Sequence, residues 1–186
     1  MSNWRYLPNL ITAARLAAVP LFIWWLFDGQ YNNALWLFVL MGLSDALDGY
    51  LAKSFQWRTA LGAYLDPAAD KTMLIGAYVT LGALDLLPHW LVFVVILRDV
   101  ALLAGSLAYN FATRRMEIQP TWISKINTVV QIVLVVAIIY NQLEAIPILL
   151  IQTLIGLTLF TTFASGLDYL MEERYKRGAR HPEKPV

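Results

Sequence analysis

Four aspartates set in lipid-soluble sequence are the residues of this chain best placed to do chemistry: Asp45-Ala46-Leu47-Asp48-Gly49-Tyr50-Leu51-Ala52-Lys53, then Gly62, then Asp66-Pro67-Ala68-Ala69-Asp70-Lys71. A charged side chain inside a bilayer costs at least about 2.5–3.5 kcal/mol on insertion scales, so four of them point to a functional site. On a helix, Asp45, Asp48, Gly49 and Ala52 fall at i, i+3, i+4 and i+7 and share one face. Gly62, Asp66 and Asp70 repeat at i, i+4 and i+8. Small residues beside carboxylates let a second helix or a flat ligand approach, and hard oxygen donors suit Mg²⁺ or Mn²⁺. Without a cation, clustered carboxylates repel one another; divalent ions remove that penalty. Two such ions can clamp a diphosphate and neutralise the charge of phosphoryl transfer, with one carboxylate left as general base. The competing reading pairs these aspartates with Lys53, Arg58 and Lys71 as helix glue, but simple ion pairing would not call for small residues on the same faces.

The elements that must position these groups are membrane helices. Of 186 residues, 59% are hydrophobic and 15% charged, with a mean hydropathy of +0.56, which excludes an ordinary soluble domain. A span needs roughly 20 mostly apolar residues. Windows at about 9–27, 32–53, 60–84, 88–112, 121–140 and 145–170 qualify. They are separated by Asp28-Gly29-Gln30, Phe55 to Arg58, Asp85 to Pro88, Thr113 to Pro120 and Asn141 to Glu144. The expected fold is therefore all-α: an integral membrane protein with six transmembrane helices in one bundle. It forms a single domain over 1–186, with a short interfacial segment at 1–8 and a cytoplasmic tail at 172–186. The first apolar run lacks a small-residue cleavage site and is followed by further spans, so it does not read as a cleavable signal. There is no cysteine, which excludes disulfides and thiolate chemistry. His89 and His181 fall at a turn and in the tail, where both read as solvated.

Alternating spans place Arg5, Lys53, Arg58, Arg114, Arg115 and the basic tail on one side, whereas the three opposite loops carry no Lys or Arg. The positive-inside rule makes both termini, and the carboxylate site, cytoplasmic. Trp4, Trp57 and Tyr175 near one set of helix ends, and Tyr31, Trp36, Trp90 and Tyr140 near the other, read as interfacial aromatic belts.

The aspartate pattern resembles the signature of the CDP-alcohol phosphatidyltransferase family, D-x2-D-G-x2-A-R-x8-G-x3-D-x3-D. Asp45, Asp48, Gly49, Ala52, Gly62, Asp66 and Asp70 match in identity and spacing, and Lys53 stands where the family usually has Arg. Lysine keeps the charge and loses the bidentate fork. The resemblance implies a six-helix enzyme, usually a homodimer, in which an alcohol attacks CDP-diacylglycerol and CMP leaves. It implies that Asp45, Asp48 and Asp66 hold the metal, Mg²⁺ or Mn²⁺ as two ions, and that Asp70 is the base and also a candidate shared ligand. Asp45, Gly49, Ala52, Lys53 and Gly62 would bind the nucleotide. Asn9-Leu10-Ile11-Thr12 followed by Arg15 also resembles the family's first helix; Asn9 or Arg15 is either a phosphate contact or a buried helix-to-helix bond.

The signature leaves the acceptor open. Arg98-Asp99 and Ser124-Lys125-Ile126-Asn127-Thr128-Val129-Val130-Gln131, with Phe160 to Ser165, resemble the branch whose acceptor is phosphatidylglycerol, giving cardiolipin and CMP. The branch using glycerol 3-phosphate tends to carry Arg-Glu and G-K-x-K-T. A near-dianionic phosphate would profit from two lysines, so Asn127 beside Lys125 favours the lipid acceptor. Arg98 is either an acceptor contact or simply neutralised by Asp99, and Lys125 either a phosphate contact or a snorkelling lysine. The alternatives are a phosphatidylglycerophosphate-forming enzyme and, from another class, a non-catalytic ion-binding protein or transporter. Membrane lipids and a bacterial inner membrane are the expected surroundings, and no nucleic-acid partner is expected.

Overall fold

The computed structural model describes the backbone of residues 7–54, 60–113 and 122–178, and the side chains of 10–45, 71–104 and 122–168. Among these residues there are six helices and no strand: α1 (Leu7–Phe27), α2 (Tyr31–Ser54), α3 (Ala60–Ala83), α4 (His89–Thr113), α5 (Trp122–Tyr140) and α6 (Ile148–Gly178). Stretches Leu10–Phe27 of α1, Trp122–Tyr140 of α5 and Ile148–Asp168 of α6 are long and apolar enough to cross a membrane. Their outward faces are apolar too, as at Trp24, Ile148, Leu149, Phe160 and Phe163, which suits lipid rather than water. The chain is an integral membrane protein.

The turns carry the punctuation expected of them. After α1 the backbone enters the left-handed region at Gly29 (φ 73°), and the Gly29 and Gln30 amides donate back to the Leu26 and Trp25 carbonyls at 3.2 and 2.8 Å. That crossed pair caps the helix with a Schellman motif, for which glycine has no Cβ penalty. The same motif closes α3 without glycine. Asp85 takes φ 58°, and the Asp85 and Leu86 amides donate to the Gly82 and Leu81 carbonyls at 3.0 and 2.9 Å. Between α5 and α6, Asn141 Oδ1 accepts from the Ile146 amide at 3.1 Å, and Tyr140 Oη donates to Glu144 Oε2 at 2.7 Å.

The helices fall into two compact units. One comprises Met1–His89 with Val135–Pro147. In it α1 packs on α2 and α3, burying Phe22, Leu26, Ala34, Phe38, Ala77, Tyr78 and Leu81, with the Phe22 and Phe38 rings 5.4 Å apart. The other comprises Trp90–Leu134 with Ile148–Val186. Beside Leu91, Val95, Leu134 and Ile151, its interior buries Arg98, Asp99, Asn127, Gln131, Thr158, Thr162 and Ser165.

The two ends of α6 differ most from the hydropathy windows. Helix α6 begins at Ile148 rather than 145, because Pro147 and the Asn141 cap hold the preceding residues in a turn. It also runs to Gly178, through the segment expected as tail, since Met171 to Lys176 are mostly good helix formers although not apolar.

Candidate functional site

Helical backbone runs unbroken through Asp45, Asp48, Gly49, Ala52 and Lys53 on α2, and through Gly62, Asp66 and Asp70 on α3, so the carboxylates on each helix recur about once per turn. Of these side chains, Asp45 alone lies among the described residues; Asp48, Lys53, Asp66, Asp70 and Asn9 lie outside them, and no group of three acidic or histidine side chains forms among those described. Arg15, 3% exposed on α1, donates through Nη1 to Asp45 Oδ1. Asp45 keeps a side-chain exposure of 37%. Of the two roles open to Arg15, the structure supplies the helix-to-helix bond, and the partner is an aspartate of the signature rather than an apolar neighbour. The pairing brings α1 to the carboxylate site. Neither Lys53, Arg58 nor Lys71, the cations weighed as aspartate partners, had pointed to it, because Arg15 and Asp45 are thirty residues apart in the chain.

The second polar group lies in the unit of α4, α5 and α6. Arg98 Nη1 donates to Asp99 Oδ1 at 2.6 Å, so the two buried charges compensate each other. Arg98 Nη2 reaches across to Ser124 Oγ on α5 at 3.0 Å and to Ser165 Oγ on α6. Three residues further along α5, Asn127 is completely buried, and its Oδ1 accepts from Thr161 Oγ1 at 2.8 Å and Thr162 Oγ1 at 3.0 Å. Steps up α5 are matched by steps down α6, so the two helices run antiparallel. Another turn on, the same register sets Gln131 level with Thr158, both completely buried. Lys125 is exposed, its Nζ 4.8 Å from the centre of the Trp122 ring, a cation–π contact. His89 is solvated as expected, 3.7 Å from Asp85 with both side chains largely exposed.

Arg98 and Asn127, expected as acceptor residues, are thus held in one polar seam, while Lys125 stands outside it. Sequence reasoning did not single out Ser124, Thr158, Thr161, Thr162 or Ser165 as site residues. Their signal was available: Thr158, Thr161, Thr162 and Ser165 recur at i, i+3, i+4 and i+7, one face of a mostly apolar stretch of α6.

Comparison with known proteins adds the decisive observation. The profile of the CDP-alcohol phosphatidyltransferase family matches residues 5–164. The chain belongs to this family. The match begins before α1 and runs through Asn127, Thr161 and Thr162, so the carboxylates and all of the second polar group but Ser165 fall within it. A human cardiolipin synthase (CMP-forming) is 37% identical over 185 residues, 88% of this chain and 60% of the relative. A probable cardiolipin synthase (CMP-forming) of Drosophila melanogaster is 32% identical over 189 residues, 91% of this chain and 58% of the relative. A probable phosphatidylglycerophosphate synthase of Mycobacterium tuberculosis is 32% identical over 173 residues, 88% of this chain and 79% of the relative. The chain thus spans about 60% of the length of the first two relatives.

Proposed function

We propose that this protein transfers a phosphatidyl group from CDP-diacylglycerol to phosphatidylglycerol, giving cardiolipin and CMP. The acceptor hydroxyl oxygen forms a bond to the phosphorus that carries diacylglycerol, the bond from that phosphorus to CMP breaks, and the hydroxyl proton passes to Asp70. Family membership supports the donor and the reaction type. One observation carries the choice of acceptor: the interior of the α4–α6 unit offers a cation already compensated by Asp99 and a neutral amide at Asn127. Such surroundings suit the single charge of a phosphodiester better than the near-dianion of a phosphomonoester.

Family members are generally divalent-metal dependent, and the donor set here fits: four carboxylates supply hard oxygens of the kind Mg²⁺ or Mn²⁺ prefers. Asp45, Asp48 and Asp66 would hold two ions, with Asp70 shared, and the ions would offset the charge on the diphosphate. Gly49, Ala52 and Gly62 give the nucleotide room against the helices, and Lys53 supplies charge.

The whole chain acts as one domain of six spans in this reading, working as a homodimer in a bacterial inner membrane. The loops at 28–30, 84–88 and 141–147, free of Lys and Arg, support a cytoplasmic placing of both termini and of the carboxylates. Phosphatidylglycerophosphate synthesis from glycerol 3-phosphate is the second reading, favoured by the mycobacterial relative, of which the chain covers the larger share. Purified protein supplied with labelled CDP-diacylglycerol and one acceptor at a time decides between them. Cardiolipin and CMP from phosphatidylglycerol are expected; product from glycerol 3-phosphate alone would select the second reading. No CMP release with either acceptor would leave a non-catalytic ion-binding protein or transporter.

A further inference from the structure

Asn127 is held at one end only. Its Oδ1 accepts from Thr162 Oγ1 at 3.0 Å and lies 2.8 Å from Thr161 Oγ1, whose single hydrogen also has the Leu157 carbonyl at 2.9 Å, whereas its Nδ2, fully buried, has no partner among the described residues. An unmatched buried amide donor costs on the order of 1–3 kcal/mol, so its persistence calls for a use. Thr158 Oγ1, one turn below Thr162 on α6, is equally buried and likewise without a partner among the described residues. These two unmatched polar atoms lie on the paired helices α5 and α6, in a unit whose outer surface is apolar, and are of the kind that meets the oxygens of a polar ligand group.

We infer that Thr161 and Thr162 are positioning residues: by bonding Asn127 Oδ1 they fix the amide plane, so that Nδ2 is presented as a neutral donor to an oxygen of the acceptor headgroup. This rests on the acceptor reading above and extends it to α6. A side-chain amide left to itself samples two flipped orientations and several rotamers; two bonds to one oxygen select one orientation. The selectivity follows from charge. A neutral donor gives a phosphodiester or glycerol hydroxyl a hydrogen bond, but adds nothing to offset a second negative charge. Acceptor choice then depends on the α6 hydroxyls as well as on the residue at 127.

The test uses full-length protein in phosphatidylcholine nanodiscs, with CDP-diacylglycerol and phosphatidylglycerol varied separately. In Thr161→Val/Thr162→Val, which keeps shape and removes both donors, KM for phosphatidylglycerol should rise about tenfold, as expected for one or two lost hydrogen bonds. The KM for CDP-diacylglycerol should stay unchanged and kcat within about twofold. The Thr→Ser pair should restore the parent value, because serine keeps the hydroxyl. Thr153→Val is the control: Thr153 is exposed on the same helix and, among the described residues, bonds the Leu149 carbonyl, at 2.7 Å, and its loss should alter nothing. Should the double variant fail to fold, Thr162→Val alone, read by binding of short-chain phosphatidylglycerol without CDP-diacylglycerol, should weaken binding severalfold. Equal rises in both KM values, or a lower melting temperature with unchanged kinetics, would overturn the inference and leave these threonines as helix fasteners. If the parent protein uses only glycerol 3-phosphate, the acceptor reading falls by itself, and the positioning role is then judged on the KM for that acceptor in the same variants.

Discussion

At the scale of single residues, the two polar groups call for different substitutions. Asp70→Asn removes the proposed base while keeping shape, so turnover should fall by about 10²- to 10⁴-fold with CDP-diacylglycerol binding largely kept; CMP release and nucleotide-lipid binding measured side by side check it, and near-normal release would remove Asp70 from the role. Arg15 is buried and bonded to a half-exposed Asp45. Arg15→Met should therefore lower the melting temperature, by a charged hydrogen bond worth about 1.5–3 kcal/mol at most. It should also raise the Mg²⁺ concentration needed for half-maximal activity, since Asp45 loses its orientation; an unchanged metal requirement would confine Arg15 to holding α1 on α2. Asn127→Lys should lower the KM for glycerol 3-phosphate relative to phosphatidylglycerol, because it adds a charge where the interior now offers a neutral donor. The aspartate spacing was readable because it repeats with the helical period and needs no knowledge of neighbours. The bonds Arg15–Asp45 and Asn127–Thr162 were not, since each joins residues thirty or more positions apart and depends on how helices pack.

At the scale of elements, helix ends were readable where the chain carries its own stop signal. Gly29 closes α1 at the residue where the apolar run breaks, and Pro88 precedes α4. The reach of α6 was not readable from hydropathy, because the helix outlasts its apolar stretch by about three turns, continuing as far as Gly178 among the described residues. Asp85 provides a direct check on the turn chemistry. It holds φ 58°, which aspartate tolerates and a β-branched residue does not. Its side chain is 85% exposed, so replacing it disturbs little else. Asp85→Gly should leave the melting temperature unchanged or slightly higher, and Asp85→Val should lower it; thermal unfolding in detergent compares them, and equal effects would mean that the turn relaxes out of the left-handed region.

At the scale of the whole molecule, the absence of cysteine makes orientation measurable without background. Single cysteines at Gln30, Leu86 or Gln142 should react with a membrane-impermeant maleimide from outside intact cells, and a cysteine at Arg58 or Lys176 only after the membrane is opened; the reverse pattern would overturn the assignment from basic residues. The antiparallel seam of α5 and α6 bears on a different event, the entry of the chain into the bilayer. Emerging alone, α5 would bring the amides of Asn127 and Gln131 into hydrocarbon before α6 exists to meet them, and the Asn127 carbonyl oxygen would wait there for Thr161 and Thr162. Inserted as a hairpin joined by the short turn after Tyr140, the two helices would cross already bonded. The seam therefore favours a unit of insertion larger than one helix, in which α5 and α6 enter the bilayer as a pair.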